Sequence, residues 1–263
     1  DGYDSDFYYP TLNDNQVGSG FSDWSYLTVP ASSGNWNGNW TEIRRANVMI
    51  QKIPTIKNMT SEARNHWLGF ARLMRGLTYF HLVQMYGDVP WVNTVLDISD
   101  GNILYGKRLD RDIVMDSVYN DISYACNNMR SSTSHTQLNK DVANAMKAEI
   151  CLYEGTFCKY RSATDGQKPS DLARAKTYLS AAKDGCLQIM NNNNYTLNSS
   201  YQANYNSLDL SGNPEMIFYK AYKLNVMTHG LIEYTCSSTP MSGMSKDAFD
   251  SYLFTDGKPL AFT

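Results

Sequence analysis

The sequence predicts a mainly α-helical protein, with loop-rich segments and minor strands at both ends. Apolar side chains recur every three to four residues over five separate stretches of the 263 residues, which is the spacing of one helix face. The links between stretches are short, so neighbouring helices are expected to pair in antiparallel order. Alanines in the last two helical stretches, such as Ala148 and Ala182, would let these helices approach closely.

The first helix is expected to run from Thr41 to Ile53, and Pro54 then ends it because proline cannot continue a helix. Residues 1–39 before it show no sustained periodicity and are rich in asparagine, glycine and serine. They are therefore predicted to form an ordered loop region.

The longest apolar stretch, Glu62–Pro90, is predicted to be the central helix of the fold. Thr60 or Ser61 can cap its start, and Gly87 can take the left-handed turn that ends a helix. Its second half is apolar on nearly every side, so we expect burial against several neighbours. His81 lies in the same stripe and is interpreted as an interior, hydrogen-bonded histidine. Five aromatic residues are interpreted as core: Trp67, Phe70, Tyr79, Phe80 and Tyr86.

Three more helices are predicted from the same spacing and from their capping residues. They run from Asp110 to Met129, from Asn139 to Tyr160, and from a cap at Ser170 to the asparagine run at 191–194. Pairing the first helix with the second and the third with the fourth leaves the fifth in need of a partner. This pattern resembles a tetratricopeptide-like right-handed superhelix over residues 40–194. The starts near 41, 110 and 170 do not follow the standard period of ~34 residues, so the repeats would be degenerate and interrupted by insertions.

The remaining segments are predicted to hold little regular structure. They comprise short strands at Trp91–Leu96 and Met216–Tyr222 and a short helix at Lys246–Leu253. We expect residues 1–263 to form a single domain truncated at both ends, in which 195–263 begin a loop- and strand-rich part.

Composition argues against several classes of function. The net charge of -3 and the pI of about 5.8 give no electrostatic reason to expect nucleic acid as a partner. No apolar run reaches the ~20 residues that a membrane-spanning helix needs. The 19 tyrosines and 5 tryptophans, with only 19% charged residues, are typical of carbohydrate-binding surfaces and are also common in extracytoplasmic proteins.

Enzyme signatures are missing: the sequence has no GxSxG, P-loop, GxGxxG or HExxH motif. The four histidines are scattered without metal-ligand spacing. A glycosidase needs two carboxylates across a cleft. Glu215, beside a predicted strand, is the one glutamate whose position suggests such a role, and a structural hydrogen bond or ion pair is the favoured interpretation. Asp1, Asp4 and Asp6 lack the other ligands of an EF-hand, so a solvated acidic end is favoured over a calcium site. The sequence therefore predicts no enzyme, no cofactor and no metal.

The five cysteines form an odd set without CxxC spacing, which argues against a zinc site or a dense disulfide framework. Cys151 and Cys158 lie two helical turns apart on one face, and Cys186 lies in the apolar stripe of the fifth helix. We therefore expect buried free thiols.

Aromatic residues in the early loop region are the candidate ligand-binding residues: Trp24, Tyr26 and Trp36. A flat indole ring can cover the C–H face of a pyranose, while nearby amide side chains bond its hydroxyls. The alternative is that these rings anchor the loops onto the helices, and for Trp40, at the start of the first helix, anchoring is favoured.

The central segment EARNHWLGFARLMRGLTYFHLVQMYGDVPWV resembles the signature helix of SusD/RagB-like outer-membrane lipoproteins. Further segments match that family in the same order along the chain: WTEIRRANVMIQKIP, RDIVMDSVYNDISYA, VANAMKAEICLYEG, NPEMIFYKAY and KDAFDSYLFTDGKPL. The resemblance covers most of residues 40–260.

The resemblance implies a non-catalytic, glycan-binding protein exposed on the cell surface. It implies a lipid anchor in the outer membrane, on a segment outside this sequence, and a SusC-like TonB-dependent transporter as the partner that receives the bound oligosaccharide. The family's binding residues lie in variable loops, so the resemblance assigns none here. The alternative hypothesis is a tetratricopeptide-like scaffold that contacts proteins and has no sugar site of its own.

Overall fold

The computed structural model describes residues 16–18, 33–132, 134–228 and 242–259. The prediction of a mainly helical protein is confirmed. No helix among these residues is long and apolar enough to cross a membrane. The elements are β1 (Gln16–Gly18), α1 (Gly34–Lys52), α2 (Ser61–Tyr86), α3 (Gly101–Leu104), α4 (Arg111–Asn128), α5 (Lys140–Tyr160), α6 (Leu172–Met190), α7 (Ala203–Asn206), β2 (Ser242–Met244) and α8 (Lys246–Asp250), with short 3-10 turns at Ile53–Thr55 and Ala163–Asp165.

Two compact units are distinguished along the chain. Ser32–Ala221 form one unit and contain α1 to α7. In the other, β1 pairs antiparallel with β2, with Val17 opposite Gly243, and α8 follows β2. The prediction of a single domain stays a prediction.

Helix α1 begins seven residues earlier than predicted. The Ser33 hydroxyl caps it by accepting a hydrogen bond from the Trp36 amide (3.5 Å). The loop prediction for residues 34–39 is therefore wrong. Its asparagines and glycines are poor helix formers, but Trp36 and Trp40 pack their rings against α2, and such tertiary contacts override weak propensity.

Helix α2 confirms the predicted central helix and both of its end signals. The Thr60 hydroxyl accepts a hydrogen bond from the Ala63 amide (3.2 Å), and Gly87 adopts a φ of 68° at the other end. Its interior includes Leu73 and Tyr79, which are fully buried.

Two assignments within α2 are wrong. Trp67 is 39% exposed rather than core, and His81 is exposed rather than interior. Both lie on faces of α2 that its neighbouring helices leave open. The buried, hydrogen-bonded histidine is His66, whose Nδ1 accepts from the Arg130 amide (3.3 Å).

The long helices stack in chain order, each antiparallel to the next. Near the middle of these helices, Asn47 of α1 contacts Arg75 of α2, and Arg75 contacts Asp121 of α4. The start of α2 lies at the end of α4, where His66 accepts a hydrogen bond from the Arg130 amide. Arg111, at the start of α4, pairs with Glu154 near the end of α5. The fifth predicted helix, α6, finds its partner in α5, so α5 is shared between two neighbours.

Close approach of α5 and α6 depends on Gly185. A Cβ built at this position would lie 2.7 Å from the Asn144 carbonyl oxygen and 3.1 Å from the Ala148 amide nitrogen. Backbone atoms cannot move aside as a flexible side chain can. The alanine-rich interface that the sequence predicts is therefore present, with a glycine at its tightest point.

Several short elements differ from the predictions. Asp171, not Ser170, caps α6 by accepting from the Arg174 amide (2.9 Å), and α8 ends at Asp250 rather than Leu253. Neither predicted strand forms, because no ladder partner lies beside either segment among the described residues. Before the first predicted strand, residues 91–96, there is only an isolated bridge between Val89 and Leu109. In the second, the Tyr219 amide donates to the His135 carbonyl oxygen (2.8 Å), without forming a ladder.

The cysteine prediction is confirmed in part. Cys126, Cys151 and Cys158 are buried free thiols, and burial raises the pKa of the Cys158 thiol to about 11. Cys186 is exposed because it lies beside, not on, the face of α6 that meets α5. Cys236 lies outside the described residues.

A buried charge cluster joins α4, α5 and α6. The fully buried Glu154 accepts from Arg111 (2.6 Å) and Arg174 (3.3 Å), while Asp112 accepts from Arg161 (2.8 Å). Asp112, Glu154 and Cys158 offer donor atoms within 4.8 Å of one another, as a metal site would, but the arginines already compensate both carboxylates. Burial by itself would raise the pKa of Asp112; the Arg161 hydrogen bond and the charges of Arg174 and Arg161 outweigh it and lower this pKa to about 2.

Gly185→Ala is expected to lower the free energy of unfolding by about 1–3 kcal/mol, because α5 and α6 must move apart to admit the methyl group. Gly38→Ala is the matched control: it also lies within a helix but has open space around its Cβ position, so it should stabilise by roughly 0.5–1 kcal/mol. Urea unfolding followed by circular dichroism measures both. Equal effects of the two variants would contradict the close approach.

Asp112 should make stability depend on pH under acidic conditions. Its pKa in the folded chain is lowered from 3.8 to about 2, so its contribution is complete above pH ~5 and is lost as the pH falls towards 2. The loss amounts to about 2 kcal/mol. Urea unfolding at pH 5 and pH 2.5 should give a smaller difference for Asp112→Asn than for the wild type. An undiminished difference in the variant would rule out this role.

Candidate functional site

The candidate site is a cavity of about 540 Å³ between α1 and the segment 90–104 that follows α2. Five residues of α1 line one wall: Trp36, Trp40, Ile43, Arg44 and Asn47. They recur at intervals of three and four residues, so they share one helix face. Thr94 and Asp97 are polar residues of the opposite wall. The apolar residues of that wall are Pro90, Val92, Leu96, Ile98, Ile103 and Leu104.

The aromatic wall is fixed by edge-to-face packing. The rings of Trp36 and Trp40 have centroids 5.3 Å apart at an interplanar angle of 68°. Trp36 also meets Tyr86 at 5.0 Å and 89°, and Trp40 meets Tyr79 at 6.0 Å and 84°. Both tryptophans are half-buried, so each is held by α2 while part of its surface faces the cavity.

The opposite wall is held by Asn47. Its Nδ2 donates to the carbonyl oxygens of Val92 and Thr94, both at 3.0 Å. The Val92 amide donates to the Tyr79 hydroxyl (2.6 Å), and burial raises the pKa of Tyr79, which keeps this phenol neutral. A segment without strand or helix structure is thus attached to α1 and α2 by side chains.

A buried ion pair orients Asn47 in turn. Arg75 Nη1 donates to Asn47 Oδ1 (2.8 Å), while Nε and Nη2 form a bidentate pair with Asp121 at 2.7 and 2.8 Å. All three side chains are buried. The contacts Asp121–Arg75–Asn47 therefore run from α4 through α2 and α1 to the cavity wall.

Exposed polar groups lie at the cavity beside the tryptophans. The Arg44 guanidinium is exposed and uses Nη1 to donate to the Leu96 carbonyl oxygen (2.7 Å), and Asp97 accepts weakly from the Ser99 amide (3.4 Å). Both can offer further hydrogen bonds to a ligand. Apolar ring surface next to such groups suits a ligand with C–H faces and hydroxyl edges.

The predicted site residues are only partly tested. Trp36 lines the cavity, together with Trp40, which both anchors α1 and contributes to the wall. Trp24 and Tyr26 lie outside the described residues, as do Asp1, Asp4 and Asp6. Glu215 accepts from the Asn198 amide (3.0 Å) and from Asn204 Nδ2 (2.8 Å); these bonds lower its pKa and match the favoured structural interpretation.

Sequence reasoning missed Arg44, Asn47, Thr94 and Asp97. Asn47 carried a detectable signal, because it follows Ile43 and Ala46 within the apolar stripe of the first helix, where an amide needs buried partners. Thr94 and Asp97 lie in a connection whose path only the tertiary structure defines.

The fold is thus a stack of antiparallel helices that carries an aromatic-lined cavity. Comparison with known proteins agrees: the profile of a SusD-like family, described as starch-binding and associating with the outer membrane, matches residues 7–152, more than half of the chain. The chain belongs to this SusD-like family of outer-membrane-associated, carbohydrate-binding proteins.

Individual relatives are distant. A SusD-like protein of Bacteroides ovatus is 24% identical over an alignment of length 194 that covers 67% of this chain and 34% of that protein. A SusD-like carbohydrate-binding protein of Bacteroides fragilis shares the fold with a TM-score of 0.71 at 18% identity, over 96% of this chain and 48% of that one. A laminarin-binding SusD-like protein aligns with a TM-score of 0.61 at 19% identity, over 80% and 44% of the two chains. The chain thus spans about half or less of the length of these relatives.

Asn47→Ala is expected to release residues 92–97, because two carbonyl oxygens and one buried arginine donor lose their partner. The free energy of unfolding should fall by about 1–3 kcal/mol. Hydrogen–deuterium exchange of the segment 92–97 should rise by more than that of α5. Asn37→Ala, on the exposed side of α1, is the control and should change neither quantity appreciably. Unaltered exchange in Asn47→Ala would show that another contact holds this wall.

Proposed function

We propose that this chain is part of a non-catalytic cell-surface protein that captures oligosaccharides and delivers them to a SusC-like TonB-dependent transporter. The observation that carries the proposal is the paired tryptophan wall of the cavity in a chain of a starch-binding family. The laminarin-binding relative supports a glycan as the ligand class. Attachment to the outer membrane through a lipid anchor is part of the proposal and rests on the family.

The cavity would bind a sugar by two kinds of contact. The C–H face of a pyranose would lie against the indole of Trp36 or Trp40, which removes apolar surface from water. Hydroxyl groups at the ring edge would exchange hydrogen bonds with Arg44, Thr94 and Asp97. Orientation by polar groups and affinity from aromatic surface are typical of small-molecule sites.

The lining supports the part of the proposal that concerns binding without cleavage. Hydrolysis of a glycosidic bond needs two carboxyl groups placed on either side of it. Asp97 is the single carboxylate among the described residues that line this cavity. The bound oligosaccharide would therefore leave unchanged, as delivery to a transporter requires.

A protein-contact scaffold is the second candidate function. Four apolar residues near the cavity are exposed: Ile98, Ile103, Leu104 and Tyr105. A contiguous exposed apolar patch is typical of protein contacts. A glycan array without any ligand, together with a stable complex with the transporter, would favour this alternative.

Trp36→Ala is expected to weaken binding of the preferred polysaccharide roughly tenfold, since an aromatic contact contributes ~1–1.5 kcal/mol beyond its buried area. A glycan array that includes starch and laminarin identifies the polysaccharide, and isothermal titration calorimetry measures the affinity. Trp24→Ala is tested in parallel. Tyr160→Ala removes an exposed ring at the end of α5 and should bind like the wild type. Unchanged affinity in both tryptophan variants would exclude this site.

A further inference from the structure

A second cavity, of about 510 Å³, lies at the opposite end of α2, against the loop that joins α4 to α5. Three aromatic residues from the first turns of α2 form one side: His66, Trp67 and Phe70. Polar residues of the loop, among them Arg130, Ser131 and Gln137, form the other side. None of these residues lines the first cavity.

Trp67 is held in place although it is partly in solvent. Its ring packs against His66 with centroids 5.1 Å apart and against Phe70 at 5.7 Å, both close to edge-to-face. Yet 39% of the residue remains exposed. An ordered indole with part of its surface in solvent is the platform on which a pyranose ring can stack.

The loop supplies hydrogen-bonding groups that the fold does not use. Arg130, Ser131 and Gln137 are exposed, and their side chains have no hydrogen bond or ion pair with any described residue. By contrast, the buried Arg75, Arg111 and Arg161 are all paired with carboxylates. Unused donors and acceptors beside an aromatic platform favour a hydroxyl-rich ligand over an apolar protein segment.

Two hydrogen bonds attach described residues of the loop to α2 and to the N-cap of α5. The Arg130 amide donates to His66 Nδ1 (3.3 Å), and the buried Asn139 donates to the Ser132 carbonyl oxygen (3.4 Å). Because His66 Nδ1 is an acceptor, its Nε2 carries the ring proton. Burial and the Arg130 charge lower the pKa of His66, so the imidazole stays neutral at pH 7.

We propose that this cavity is a second carbohydrate-binding site, in which a pyranose unit stacks on Trp67 and its hydroxyls bond Arg130, Ser131 and Gln137. The ligand class rests on the proposed function of the chain, whereas the location rests on the geometry of this cavity alone.

The two cavities are fixed relative to each other by one helix. Tyr86, which holds Trp36, and Trp67 are nineteen residues apart on α2, or ~28 Å along its axis. A long polysaccharide could therefore occupy both sites at once, and the second contact would be intramolecular. A short oligosaccharide would fill the two sites independently.

The test compares Trp67→Ala and Trp36→Ala on the same ligands. The probes are starch and laminarin, any further polysaccharide that the glycan array selects, and a trisaccharide of each. For the polysaccharide, affinity gel electrophoresis should show at least a fivefold loss of retardation in either variant. For the trisaccharide, calorimetry should give two sites in the wild type and one in each variant. When trisaccharide is added, hydrogen–deuterium exchange of residues 130–138 should fall in Trp36→Ala. It should not change in Trp67→Ala.

Conservative and distant variants separate binding from folding. Trp67→Tyr keeps a stacking surface and should bind polysaccharide within twofold of the wild type, whereas Gln137→Ala should weaken it. Tyr160→Ala should have no effect. Wild-type binding in Trp67→Ala, with loss in Trp36→Ala, would overturn the second site and leave the proposed function intact. A wild-type chain that binds no glycan on the array would overturn both.

Discussion

The buried ion pair between Arg75 and Asp121 is the interaction on which the first cavity depends. Two charges leave water at this point, and the bidentate geometry, together with the contact to Asn47, compensates part of that cost. Because Arg75 fixes the amide of Asn47, the two Nδ2 protons point at the carbonyl oxygens of residues 92 and 94. A helix-to-helix ion pair thereby positions a segment that has no secondary structure of its own. Loss of either charge would affect the cavity wall as well as stability.

The same physical solution recurs at the other end of the stack. Three arginines hold Glu154 and Asp112 between α4, α5 and α6. The arginines thus supply the positive charge that a metal ion would supply to the same carboxylates. Removing one partner of such a pair would leave an uncompensated buried charge, which is strongly destabilising. The chain therefore combines apolar stripes, which make helices associate, with paired charges at the contacts between the helices.

The aromatic surfaces at both cavities arise where the stack leaves aromatic residues half-covered. Trp36 and Trp40 pack on α2 by their edges and still line a cavity, and Trp67 does the same at the other end of that helix. Half-covered aromatic rings of this kind are consistent with the family's description as starch-binding.

The sequence by itself determined the helical class, the caps at Thr60, Asp110 and Asn139, the Gly87 stop and the family, because these depend on local periodicity, capping chemistry and motifs. Local signals misplaced the start of α1, since packing of Trp36 and Trp40 onto α2 outweighs the weak helix propensity of the residues around them. They also misassigned Trp67 and His81 to the interior, because periodicity identifies an apolar face but not which faces receive a neighbour. Only the tertiary structure decided the cavity lining, since Asn47, Thr94 and Asp97 come together through side-chain contacts between residues distant in the chain.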